Sequence, residues 1–129
     1  IPFNHSWAHN ASAVVYVASH TVMNIGQAEP VPAPTHSFDT GAAAVLVQLQ
    51  LNKVGWAAHP ISGFDRDLAR AGLALPEDYA LDAAIIIGRP GDAGALPEHL
   101  RARNVPSPRR SLADVAFSGR FPVRQQDVD

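Results

Sequence analysis

Histidine, serine and carboxylate side chains carry whatever acid–base or nucleophilic chemistry this chain can do, because its 129 residues contain no cysteine. Thiolate catalysis, disulfides and Cys-ligated zinc fall together on that count. His5 and His9 stand four apart in His-Ser-Trp-Ala-His, the spacing at which two metal ligands would share a helix face. No Glu follows the first His and no acidic third ligand is close, so both read as surface or interface histidines and no metal is expected. Ser62 lies in Ile61-Ser62-Gly63, which lacks the Gly-x-Ser-x-Gly elbow of a serine nucleophile. A Ser, His and Asp site would have to be assembled from residues far apart, and no spacing points to one. Gly88-Arg-Pro-Gly-Asp-Ala-Gly94 has neither Gly-Lys-Ser/Thr nor Gly-x-Gly-x-x-Gly, and Pro90 removes an amide donor. It reads as a strand exit.

Two segments keep a binding role. Arg109-Arg110, beside Pro108, is a compact basic pair able to clamp a phosphate or a carboxylate, or else a solvated turn. Gly55 to Asp65 places His59 and Pro60 in a non-helical stretch that ends at Gly63 before a new helix. Exposed amides at Ser62 and Gly63, beside the flat apolar surface of Pro60 and Ile61, suit a planar heteroaromatic ligand. An ordinary interhelix turn has the same spacing.

These segments need elements to hold them. Ala11–Ala18 is a short apolar run with β-branched residues and reads as a strand covered on both faces, as in parallel or mixed sheets. Ala83-Ala-Ile-Ile-Ile87, closed by Gly88 and Pro90, reads as a central strand. Asn24 to Phe38, with prolines at 30, 32 and 34, is predicted to be an extended loop over a site or around a partner. Phe38–Val54 is the clearest helix, with Asp39 or Thr40 as cap and Gly55 beyond its end. It is apolar nearly all round, so burial on all sides is expected. A chain this short can hardly surround it, which points to a subunit interface. Asp65 is expected to cap a helix over Arg66–Ala71 ended by Gly72. Another short helix is expected over Pro97–Arg103, and a capping box at Ser111 and Asp114.

Composition bounds the class. Ten basic against twelve acidic residues give a net charge of −2, which argues against a nucleic-acid surface. Hydrophobic residues make up 47% and charged ones 17%, so a solvating disordered segment is excluded. No apolar run approaches the ~20 residues that span a bilayer. No export signal opens the chain, so a cytoplasmic location is the default expectation.

The block from Ser37 to Asp65 (Ser-Phe-Asp-Thr-Gly-Ala-Ala-Ala-Val-Leu-Val-Gln-Leu-Gln-Leu-Asn-Lys-Val-Gly-Trp-Ala-Ala-His-Pro-Ile-Ser-Gly-Phe-Asp) resembles the core of FMN-dependent nitroreductases. Leu75-Pro-Glu-Asp, Ile85-Ile-Ile-Gly-Arg-Pro90 and Arg109-Arg-Ser-Leu-Ala-Asp-Val115 follow in the order of that family. Trp7 followed by Ala11–Val17 is similar to the strand opening the family's second half. The resemblance covers residues 7 to 121.

It implies an α+β flavoprotein with a mixed central sheet flanked by helices, and a homodimer built on the Phe38–Val54 helix. FMN would be the cofactor and NAD(P)H the reductant, with ping-pong hydride transfer through flavin N5 to small nitroaromatic or quinone-type acceptors. Pro60 and Ile61 would line the isoalloxazine, the Ser62 N–H would meet N5, and Gly63 would permit close approach. Arg110, with Arg109, would meet the phosphate. The family usually has Lys where Pro108 stands. Residues 1–121 are thus expected to be the C-terminal portion of such a domain, and 122–129 a tail reaching over a partner subunit. The family's Arg-x-Ser-x-Arg segment and its Asn and Gln-Pro-Trp contacts would then lie ahead of Ile1. The alternative is a non-catalytic dimerisation or small-ligand-binding remnant of the fold without FMN.

Overall fold

An isoleucine run sets the centre of the sheet. A computed structural model describes residues 2–120 of the chain; the expected tail at 122–129 lies outside them. In chain order the first elements are α1 (Pro2–Ala8), β1 (Ala13–His20), β2 (Val22–Met23), β3 (Val31–Pro32) and α2 (His36–Lys53). They are followed by β4 (Ala57–Ile61), α3 (Arg66–Leu73) and β5 (Tyr79–Gly88). A second unit begins at Asp92.

β5 lies between β1 and β4 and runs antiparallel to both. The fold class is α+β, but every pairing among the described residues is antiparallel where a mixed sheet was expected. Successive side chains of a strand point to opposite faces. Ala84 and Ile85 are both 1% exposed, so both faces of β5 are covered. Cover on both faces lets an antiparallel strand carry the continuous apolar run usual in parallel sheets. β1 is not covered in that way: Val14, Val15 and Tyr16 stay 39–45% exposed.

α2 begins two residues earlier than expected. Thr35 is its N-cap, with its hydroxyl donating to the Asp39 carboxylate at 2.9 Å, so neither Asp39 nor Thr40 caps it. Gly55 follows the C-cap at φ +81°, a left-handed conformation that glycine adopts without a Cβ penalty. The helix lies against β1 and β4. The expectation of burial on all sides fails within the single chain, where none of its residues is buried. His36, Thr40, Ala44, Gln48 and Leu51 form its half-covered stripe. Phe38, Leu46 and Leu49 face outward at 78%, 66% and 61% exposure. The polar and small side meets the sheet, and the apolar side does not.

The proline-rich segment is more ordered than the loop expected over Asn24–Phe38: Val31 and Pro32 pair with Met23 and Val22 as a small ladder, and α2 begins at His36. Asp65 does cap α3, accepting from the Leu68 N–H at 2.9 Å. That helix runs past Gly72, and Ala74 (φ 48°) makes the left-handed stop, with the Leu75 N–H returning to the Arg70 carbonyl.

The second unit holds a 3-10 turn at Ala93–Ala95 capped by Asp92, then α4 (Glu98–Arg101) and α5 (Leu112–Val115). Pro97 is the N-cap of α4 rather than part of its first turn. The Ser111 N–H and hydroxyl both donate to the Asp114 carboxylate, at 3.2 and 2.8 Å. Among the described residues no helix is long and apolar enough to cross a membrane.

Candidate functional site

The Pro60–Gly63 segment is the end of an edge strand and the residues that leave it, where the spacing alone left an ordinary interhelix turn open. Pro60 pairs with Ile85 and Ile61 with Ala84. Proline has no N–H for the ladder, and an edge strand is where that is tolerated. By the alternation of the strand, Pro60 and Ile61 project to opposite faces of the sheet. A planar ring touching both must therefore run along the open edge of β4.

After Ile61 the backbone hydrogen bonds become one-sided. The Phe64 N–H donates to the Ser62 carbonyl at 3.2 Å, closing a three-residue turn. The Asn4 amide nitrogen donates to the Gly63 carbonyl at 2.8 Å. Both carbonyls are occupied, while among the described residues neither the Ser62 nor the Gly63 N–H has an acceptor. Since a trans peptide holds N–H and C=O on opposite sides, the Gly63 N–H points away from the closure of the turn. Ser62 is exposed and Gly63 half-covered. The segment thus presents two backbone donors next to apolar side chains.

A second cluster brings Ser, His and Asp together from distant parts of the chain. The register of β1 against β5 skips from Val17↔Ala83 to Ala18↔Leu81, leaving Asp82 as the unpaired residue of a β-bulge. Asp82 accepts from the Ser19 hydroxyl at 2.5 Å and the Ser37 hydroxyl at 2.7 Å. With both hydroxyl protons turned to the carboxylate, His36 Nδ1 must donate, and it lies 2.8 Å from the Ser19 oxygen. The bulge frees carbonyls as well. Arg66 donates to those of Leu81 and Asp82, and Arg70 to that of Tyr79 at 2.7 Å.

This cluster does not have the order of a nucleophilic site. There, His stands between Ser and Asp and takes the serine proton. Here Ser19 stands in the middle, donates its hydroxyl hydrogen bond to Asp82 rather than to the histidine, and is only 3% exposed. It ties α2, β1 and β5 together. The sequence reading missed it, and its one visible signal was a carboxylate set one residue before the apolar run at Ala83.

The remaining expected residues divide. Arg109 and Arg110 lie in the second unit, exposed, with Arg109 donating to the Ser107 hydroxyl at 3.4 Å. His9 lies just past α1, its Nδ1 at 2.7 Å from the His5 carbonyl, and the two rings are 5.5 Å apart. Arg89, in the expected strand exit, donates to the Gly55 carbonyl at 2.9 Å and stacks over Trp56 at 4.0 Å. It fastens the end of α2 to the end of β5.

No family model matches the chain. A solved structure described as an oxidoreductase containing FMN is 38% identical, covering 95% of this chain and 62% of its own, with a TM-score of 0.88. A nitroreductase family protein from Clostridium difficile shares the fold at a TM-score of 0.59 and 17% identity, covering 88% of this chain and 63% of its own. This chain therefore spans less than two thirds of either solved relative. An uncharacterized 15.4 kDa protein of Mycolicibacterium smegmatis is 32% identical over 117 residues, 90% of this chain and 76% of that protein. The order of helices and strands agrees with these likenesses, and the chain has the α+β fold of a nitroreductase family protein.

Proposed function

We propose that the chain is the flavin-edge portion of an FMN-dependent NAD(P)H oxidoreductase that works in ping-pong fashion on nitroaromatic or quinone-type acceptors. The observation that supports this reading is the one-sided hydrogen bonding at Ser62 and Gly63, where among the described residues the carbonyls are occupied and the N–H groups are not. FMN fits that donor set, because its ring has hydrogen-bond acceptors along one edge and apolar faces on either side. When bound, FMN supplies the hydride chemistry, and the protein supplies orientation and electronic tuning. Pro60 and Ile61 line the ring, the Ser62 N–H meets N5, and Gly63 leaves room for close approach. Arg109 and Arg110 are proposed as phosphate partners on the resemblance alone.

The same reading makes the protein a homodimer through α2. Its outward Phe38, Leu46 and Leu49 form an apolar surface that water disfavours and a second copy would cover. FMN titration followed by flavin fluorescence quenching, with light scattering on the eluted protein, tests both parts. Saturable quenching by a dimer is the expected result. A dimer that takes up no FMN rejects the enzyme reading and favours a binding or dimerisation remnant. A monomer counts against both.

A further inference from the structure

α1 touches the candidate site on both sides. Its Trp7 meets the His59 ring edge-on, with centroids 5.2 Å apart and planes at 87°. Three residues earlier on the same helix, Asn4 donates its partly buried amide to the Gly63 carbonyl at 2.8 Å. Residues three apart on a helix share a face, so one face of α1 grips the chain just before Pro60 and again at the end of the segment. Nothing local demands that bond, since the partners are 59 positions apart. A carbonyl held from outside fixes the plane of its peptide. The same peptide carries the Phe64 N–H, the donor of the single backbone bond that closes the turn on the Ser62 carbonyl, so the Asn4 bond and the turn bond hold one plane from its two sides.

We infer that Asn4 is a positioning residue for the flavin edge: by holding the Gly63 carbonyl it fixes the Gly63–Phe64 peptide, whose N–H holds the Ser62 carbonyl and so keeps the Gly63 N–H, on the opposite side of the Ser62–Gly63 peptide, aimed outward from β4. This rests on the FMN reading above. Asn4 does not touch the flavin. It acts through the backbone, so its effect appears in the flavin's hydrogen bonding rather than in the surrounding apolar contacts.

The test compares the full chain with Asn4→Ala and Asn4→Gln, all checked for folding by circular dichroism. Each is titrated with FMN and read for affinity, visible absorption and midpoint potential. Losing one aligned bond is expected to weaken FMN binding in Asn4→Ala about five- to tenfold. Its absorption band and potential shift, and Asn4→Gln, which keeps a donor, recovers part of each. Three results overturn the inference. Asn4→Ala that binds FMN as tightly, with the same spectrum and potential, removes the positioning role and leaves the flavin reading intact. Weaker binding with spectrum and potential unmoved and no recovery by Gln reduces Asn4 to a structural residue. An unaltered chain that takes up no FMN overturns the flavin reading, and this role with it.

Discussion

Two neighbouring places at one end of the sheet hold polar groups in opposite ways. At the bulge where β5 begins, Asp82, Ser19, Ser37, His36 and Arg66 satisfy one another and the freed carbonyls. At the end of β4, Ser62 and Gly63 satisfy only their carbonyls among the described residues. Both places are rich in groups that sequence reading associates with chemistry. Mutual satisfaction marks the first as architecture, because a buried polar group must find partners inside the protein. Unmatched, accessible donors mark the second as a place for something else to bind. Residue type alone would have ranked them the other way round.

The contrast can be broken from either side. The largest stability effect is expected for Asp82→Ala, which strands the buried Ser19 hydroxyl and removes the acceptor of Ser37. A loss of about 2–4 kcal/mol in denaturant unfolding is expected; a loss below about 0.5 kcal/mol would show the cluster to be incidental. Arg66→Ala uncovers two bulge carbonyls and is expected to cost about 1.5–3 kcal/mol by the same measurement. Gly55→Ala forces a Cβ into a left-handed turn, 3.3 Å from the Arg89 guanidinium. It is expected to cost about 1 kcal/mol, most of it from backbone strain because the arginine can shift. Ser62→Pro deletes a donor that holds nothing among the described residues. Stability is expected to change by less than about 0.5 kcal/mol while FMN affinity falls at least about tenfold. Equal damage to stability from Ser62→Pro and Asp82→Ala would erase the distinction between the two places.

Much of the frame was legible in local pattern. The Ala83–Ile87 run named the central strand because three consecutive β-branched residues can be buried on both faces only inside a sheet. Asp65 and Gly55 marked helix ends because capping and left-handed turns depend on one or two residues. Pro60 to Gly63 stood out as a segment, but its identity as an edge strand depended on β5 lying alongside. The Asp82 cluster was not legible. Its hydroxyl and imidazole partners lie 17 to 63 positions apart, and only a register skip aims the carboxylate at them.

From the sequence by itself came an apolar helix too long for its chain to bury, a central isoleucine strand, and a family resemblance carried by residue order. Those features depend on neighbours a few positions apart, where steric and solvation preferences act directly. Only the tertiary structure decided which side of α2 meets the sheet, since apolar residues nearly encircle that helix and His36 and Ser37 had to reach Asp82. It also decided which amides are left unpaired, because a hydrogen bond is assigned by where the partner arrives in space.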